Sequence, residues 1–456
     1  MEKVSIESNV KKIKMLPLAI AITLFCVLLN YPLFQNQQAQ KALALLVIVA
    51  MLWMTEAIPL ALTGIMIPVM ATLLHLVPPS KAFSEFAHPI IFLFMGGFVI
   101  AGALTRYGLD KLLAQKLIML ARGNFYKSAI LLMLATSLTA CWVSNTAATA
   151  MMIPLGLGLL TLLKKDSVTA ESKFLILGIA YSANIGGVIT MVASPPNAIG
   201  AAILSLSFST WIKYALPVFL ITFPLMILLL TLYFKPDKKM YIAQMVVVKN
   251  ESAPNMTLAA IFIFTVTLWI LDSVLSPLLK IADSFSSLVA IVAIFLIFIT
   301  RVLNWKEIIK AIQWDVLLLF GGGLTLGMLI DHSGLGIILV SEIAQLITVV
   351  PLFLFLWIIV LFSIVLTEFM SNTASAALIL PLLFTLATQL HVDPMILVFP
   401  ATIAASYGFM LPAGTPPNAM AFASGLVPQK DMMKIGLVLN FGFSIILTVF
   451  FYFTFK

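Results

Sequence analysis

Polar residues punctuate this chain sparsely, and the spacing of the punctuation defines its elements. Apolar runs occupy 15–34, 42–56, 59–77, 88–105, 174–206, 211–234, 256–276, 285–302, 314–330, 394–427 and 434–455. Most are near the roughly 20 residues with which an α-helix crosses a bilayer. Two further apolar stretches, 128–163 and 351–390, are too long for one crossing and too short for two comfortable ones. Each is interrupted midway by Ser-Asn-Thr, which predicts a re-entrant hairpin: helix in, polar tip, helix out. The pattern therefore predicts an all-α polytopic membrane protein with eleven crossings and two hairpins. The first run follows Lys11, Lys12 and Lys14. It is longer than the apolar core of a signal peptide, and Gln35-Asn36-Gln37-Gln38 replaces a small-residue cleavage site, so it reads as a retained first helix.

The halves of the chain repeat. Phe94-Met95-Gly96-Gly97 with Gly108-Leu109 matches Phe320-Gly321-Gly322-Gly323 with Gly334-Leu335. Ser144-Asn145-Thr146-Ala147 with Pro154-Leu155 matches Ser371-Asn372-Thr373-Ala374 with Pro381-Leu382. Ser194-Pro195-Pro196-Asn197-Ala198 matches Thr415-Pro416-Pro417-Asn418-Ala419. Each motif is weak alone; three in one order at nearly one offset indicate duplication. The domain reading is a first repeat over 1–234 (hairpin 128–163, broken helix 174–206) and a second over 256–456 (hairpin 351–390, broken helix 394–427). A cytoplasmic connector, 235–255, joins them. Inverted repeats with broken helices are a common architecture of secondary transporters, with the site near the midplane. The Gly pairs read more simply as helix-packing positions.

Composition agrees with lipid as the solvent. Hydrophobic residues make up 62% of the chain and charged residues 10%, against roughly 25% charged in soluble domains. The net charge of +8 does not imply nucleic acid, because the bases sit in short loops between apolar runs. With the N-terminus in the cytoplasm, all Lys and Arg except Lys41, Lys81, Lys213, Lys280 and Lys456 fall on the cytoplasmic side, as the positive-inside rule requires. The first hairpin then enters from inside and the second from outside, and the C-terminus lies outside the inner (plasma) membrane. Cys26 and Cys141 both lie in apolar runs, with no disulfide framework or metal motif. No zinc-protease or Walker A pattern points to an enzyme.

The Ser-Asn-Thr tips suit an anion. A helix starts at each tip, so its first amides and positive dipole end face the tip. Pro-Pro within an apolar run removes two backbone donors and is expected to free the carbonyls of Met191 and Val192 in one half and Pro412 and Ala413 in the other. A hard cation satisfies such oxygens. The predicted site has no Lys or Arg, so cations bound beside a dianion would supply the missing charge. Glu368, three residues before the second tip, reads either as a functional acid or as a hydrogen-bonding anchor for that hairpin. His88 and Asp315, at span starts, read as interfacial, His332 and His391 as loop residues, and Glu56 as a turn or scaffold residue.

These motifs together resemble the divalent anion:sodium symporter family, whose bacterial members include sodium–dicarboxylate cotransporters. The resemblance spans nearly the whole chain and rests on Trp53-Met54-Thr55-Glu56-Ala57-Ile58-Pro59, the two Ser-Asn-Thr tips and the two Pro-Pro-Asn breaks. It implies a homodimer in the lipid bilayer, with a scaffold and a transport domain per protomer and elevator movement. It also implies sodium-coupled symport of C4-dicarboxylates such as succinate. Carried onto this chain, one sodium site uses Ser144 and Asn145 with backbone near Ala140 and Ala193. The other uses Ser371 and Asn372 with backbone near Thr367 and Gly414. Asn145, Thr146, Asn372 and Thr373 would hold the carboxylates, with Ser194, Thr415 and Pro416 close by. Ala193 stands where the family often has Gly. Competing expectations are a sodium-independent dicarboxylate exchanger and a carrier of another anion, such as citrate or sulfate.

Overall fold

The computed structural model describes residues 13–163, 168–242, 255–281, 284–339, 341 and 350–455. Among these the chain is helical, with one isolated bridge pairing Asn124 and Tyr241. The first half runs α1 (Met15–Asn30), α2 (Gln37–Thr55), α3 (Leu60–Leu73), α4 (Pro79–Ser84), α5 (Pro89–Arg106), α6 (Leu109–Met119), α7 (Phe125–Ala140), α8 (Asn145–Leu162), α9 (Ala170–Gly186), α10 (Pro195–Ile203) and α11 (Phe208–Phe234). The second runs α12 (Met256–Ile270), α13 (Asp272–Leu278), α14 (Phe285–Ile299), α15 (Trp305–Ala311), α16 (Trp314–His332), α17 (Leu352–Phe369), α18 (Asn372–Gln389), α19 (Pro394–Ala404), α20 (Pro416–Ala423) and α21 (Gln429–Phe455). Most of the 235–255 connector, 243–254, lies outside the described residues.

Polar caps set where many of these helices begin. Asn36, Asn124, Ser207 and Asn255 each accept from a backbone amide two or three residues ahead, satisfying donors that the first turn leaves unpaired. At α15 the capping is reciprocal between Asn304 and Glu307. The helices also expose large apolar side chains, including Leu220, Leu232, Phe369 and Phe453, while Asn184, Asn197, Asn418 and Thr367 are fully buried. That distribution fits a protein whose outer solvent is lipid and whose polar groups serve its interior. Among the described residues, eight helices are long and apolar enough to cross a membrane, or up to nine with one bent pair. Three of the eight are hairpin arms, and several expected crossings, such as α1 and α3, are shorter helices. At about 1.5 Å per residue these fall short of the full hydrocarbon thickness.

Three expectations are corrected. The run 256–276 is not one straight helix: α12 and α13 meet at 74°, with Asp272 starting the second piece and held inside the protein. The Pro-Pro pairs do not interrupt continuous helices. Pro195 and Pro196 open α10, and Pro416 and Pro417 open α20, each after a non-helical segment. First-turn amides have no intrahelical partner, so proline costs little there, and the Met191, Val192, Pro412 and Ala413 carbonyls lie in the non-helical segments instead of being freed from a helix by proline. His332, expected in a loop, is the last residue of α16.

The two halves interlock. Helix α10 packs on α18 and α19, and α20 packs on α8 and α9, so each half-helix after a break lies against the other repeat's elements. Helix α3 packs along α16 and α5 along α14. These last pairs need glycine for close approach: a Cβ on Gly322 would fall 2.5 Å from the Cα of Gly64, and one on Gly96 would meet Ala290. The Gly pairs are thus packing positions, as the simpler reading of the sequence holds.

Candidate functional site

Helices α7 and α8 form the first hairpin, and its tip is residues 141–144. Ser144 caps α8, its hydroxyl accepting from Ala147 N at 3.3 Å, so Asn145 and Thr146 fall in the helix's first turn. The tip lies against the break between α9 and α10. Thr190 donates its hydroxyl to the Cys141 carbonyl. Gly187 faces Asn145 so closely that any Cβ there would overlap the Asn145 amide. The break itself is held by Asn197, whose Nδ2 donates to the carbonyls of Gly187 and Thr190, both at 2.8 Å. Ala140 lies buried at the end of α7, and Ala193 and Ser194 are buried in the break.

The second cluster is built the same way. Ser371 stands at the N-cap position of α18 without the hydroxyl cap that Ser144 makes, placing Asn372 and Thr373 in the first turn. Asn418 donates its Nδ2 to the carbonyls of Gly408 at 2.9 Å and Leu411 at 3.1 Å. Those residues stand in the same register to Asn418 as Gly187 and Thr190 do to Asn197. The Asn of each Pro-Pro-Asn motif therefore staples its own break. Thr367, in the last turn of α17, contacts Asn372 Oδ1 at 2.6 Å and the Ala405 carbonyl at 2.8 Å through its hydroxyl. Thr415 caps α20 by accepting from Asn418 N, and Pro416 is that helix's first residue.

Glu368 resolves to the anchoring role. It is 1% exposed. Its Oε1 accepts from Met410 N at 2.7 Å and Asn440 Nδ2 at 2.6 Å, and its Oε2 accepts from Leu411 N at 2.8 Å. One carboxylate thus ties the second hairpin to the second break and to α21. Gly414 sits beside it, where a Cβ would lie 2.8 Å from Oε2.

Cross-repeat bonds join the clusters. Asn184, in the last turn of α9, donates to Thr415 Oγ1 at 3.0 Å and Asn418 Oδ1 at 3.4 Å. Ser194 and Ser406 lie 3.4 Å apart, and Tyr181 donates to the Phe409 carbonyl at 2.6 Å. Around the first cluster several buried oxygens have no hydrogen-bond partner among the described residues: Asn145 Oδ1, Asn184 Oδ1, Asn197 Oδ1, Thr139 Oγ1 and Ser182 Oγ. Such groups are costly to bury unpaired, and their oxygens are the type a hard cation takes. No Lys or Arg occurs from Phe174 through Ile212, or from Ala311 through Gln429, so fixed positive charge is absent from both breaks and from the second tip.

A cavity of about 360 Å³ reaches the second tip at Ser371 and Thr373 from the end of the molecule that carries Glu56–Ala61 and Asp315. That volume falls in the roughly 300–1,000 Å³ of small-molecule sites. Glu56 itself has left-handed backbone geometry, φ 46°, in the turn between α2 and α3, and Trp53 bridges that turn through Nε1 to the Leu60 carbonyl at 3.3 Å. Asn145, Thr146 and Asn372 do not line this cavity; Thr146 is exposed, and the other two are half-buried. The reading of the sequence did not single out Asn184, Gly187, Thr190 or Asn440. Asn184 left a signal, a lone amide in a run of small and apolar residues.

Comparison with known proteins agrees with this architecture. The family model "Citrate transporter" matches residues 50–403. An uncharacterized transporter of Haemophilus influenzae is 43% identical over 92% of this chain and 92% of its own. A protein of Staphylococcus saprophyticus named sodium-dependent dicarboxylate transporter SdcS is 31% identical over 96% of this chain and 89% of its own. The crystal structure of the Alcanivorax borkumensis YdaH transporter shares the fold, with a TM-score of 0.60 at 14% identity, covering 96% of this chain and 98% of that one. The chain is accordingly a membrane transporter that belongs to the citrate-transporter family, and its motifs are those of the divalent anion:sodium symporters it resembles.

Proposed function

We propose that the protein is a sodium-coupled symporter of C4-dicarboxylates such as succinate. The observation that carries this reading is the first cluster: a hairpin tip and a helix break bring together buried amide and hydroxyl oxygens that lack protein partners, with no basic residue in either break. A dianion in such a place meets only the partial charge of helix ends, roughly half a unit each. Sodium at the tips makes the dianion tolerable, and the dianion does the same for sodium, so the two travel together. The names of similar proteins, citrate transporter and sodium-dependent dicarboxylate transporter, support the substrate class and the ion.

In this reading one sodium takes Ser144 and Asn145 with backbone of Ala140 and Ala193. A second takes Ser371 and Asn372 with backbone of Thr367 and Gly414. The substrate carboxylates lie on Asn145, Thr146, Asn372 and Thr373, flanked by Ser194, Thr415 and Pro416. The two repeats are inverted about the membrane plane, the N-terminus is cytoplasmic, and the cavity below Ser371 and Thr373 opens inward. The hairpins and breaks move as one body against a scaffold containing α2, α3, α12, α13 and α14 in an elevator motion within a homodimer. Asn145→Ala and Asn372→Ala test the site. Each deletes a group that serves both cation and carboxylate, and a hydrogen bond to a charged group contributes about 1.5–3 kcal/mol. Succinate affinity should fall at least tenfold in each while expression persists. Near-normal uptake by either variant refutes the assignment.

A further inference from the structure

A second polar cavity, of about 270 Å³, lies at the opposite end of α5 from the Arg106–Glu307 ion pair. Its walls include His88, Met191, Ser207, Asp272, Ser276 and Ser286, and Met191 belongs to the first break. No Lys or Arg lines it. Asp272 is 5% exposed, and among the described residues no cationic side chain pairs with it. Its Oδ2 accepts from Ser286 Oγ at 2.5 Å and from Phe208 N at 3.4 Å.

Three of the hydroxyls around it have already used their protons. Ser286 donates to Asp272, Ser276 to the Ile281 carbonyl, and Ser287, another wall residue, to the Pro89 carbonyl at 2.7 Å. His88 Nδ1 accepts from Ile90 N. Those three hydroxyls retain lone-pair capacity, and the His88 proton sits on Nε2. A buried carboxylate without a counter-charge is expensive, and here no Lys or Arg lines the cavity that holds it. Water alone does not neutralise it. A hard cation does, and one carboxylate with neutral oxygens matches a single positive charge better than a double one.

We infer that the cavity between α5, α11, α13 and α14 is a binding site for a hard monovalent cation, sodium in the first instance, with Asp272 as its charged ligand and Ser276 and Ser286 as neutral ones. The site stands apart from the two tip clusters and does not depend on coupling through them. It also explains the bend between α12 and α13, which brings the Asp272 carboxylate inward where a straight helix would carry it on.

The test is thermal unfolding of the purified full chain in detergent, titrated with sodium chloride against potassium and choline chloride at constant ionic strength. The parent is the Asn145→Ala/Asn372→Ala double variant, so the proposed coupling sites do not contribute. Sodium should raise its unfolding midpoint saturably, and potassium and choline should not. Asp272→Asn, which keeps the size of the side chain and an acceptor for Phe208 N, should raise the half-saturating sodium concentration at least tenfold. Ser286→Ala should raise it at least threefold. A titration unchanged by Asp272→Asn overturns the inference, as do equal effects of all three salts. Should Asp272→Asn not fold, an unchanged half-saturation in Ser286→Ala overturns it alone. The readout is binding and not uptake, so a failure here and a failure of sodium-coupled transport are separate results.

Discussion

Glu368 is the residue where sequence suggested two roles and geometry favours one, so it offers a quantitative test. Three donors converge on it: the backbone amides of Met410 and Leu411 and the Asn440 side chain. Glu368→Ala leaves both part-buried backbone amides without their acceptor. Each unmade donor costs about 1–3 kcal/mol, so the change should destabilise the protein by about 2–6 kcal/mol, with Asn440 free to turn elsewhere. Glu368→Gln keeps one oxygen. With that oxygen in place of Oε1, Met410 and Asn440 retain an acceptor while Leu411 N faces an NH₂ group, a loss of about 1–3 kcal/mol. Unfolding of the detergent-solubilised protein, followed alongside uptake in proteoliposomes, should therefore rank stability as wild type, Gln, Ala. Uptake should fall in the same order, because the break that carries Gly414 loosens with its anchor. Wild-type stability in Glu368→Ala contradicts the anchoring role. Wild-type stability with abolished uptake in Glu368→Gln also contradicts it, since that combination assigns the charge to transport itself.

Other expectations follow from single contacts. Gly187→Ala places a methyl group where the Asn145 amide lies, so it should abolish uptake while leaving the protein folded; normal uptake means that Asn145 is not needed where it stands. The Glu307 carboxyl is held below its ordinary range, first by the Asn304 backbone amide and also by Arg106. A depressed carboxylate adds stability above its unfolded-state value of about 4.3, and that contribution is lost as pH falls through the lower folded-state value. Unfolding midpoints of wild type and Glu307→Gln should thus differ slightly at neutral pH and converge in acid; a gap that widens on acidification contradicts the assignment.

The parts of the fold legible in the sequence were those written locally. Ser-Asn-Thr inside long apolar stretches marked both hairpins, because polar groups at that depth need a tip or cavity to justify them. Pro-Pro marked both breaks but misled about their form. The helix before the first break already stops at Gly186, and proline only opens the next one. Gly186-Gly187 was the overlooked signal. Asp272 in an otherwise apolar run likewise marked the bend after α12. What sequence did not display was pairing between distant segments. Asn440 reaches Glu368 across 72 positions and Asn184 reaches Thr415 across 231, and nothing local to Asn184 or Asn440 names its partner. The matched staples of Asn197 and Asn418 were visible as motifs, yet their use of the amide nitrogen to hold carbonyls is a fact of three dimensions.

The central claim is that sodium and a dicarboxylate cross the membrane together. Proteoliposomes containing the purified protein, given labelled succinate outside, test it most directly under an inward sodium gradient, an inward potassium gradient, and no sodium on either side. The account predicts concentrative uptake with the sodium gradient and none in the other two conditions, with no succinate needed inside. Equal uptake without sodium contradicts it, and uptake that requires internal dicarboxylate instead identifies an exchanger.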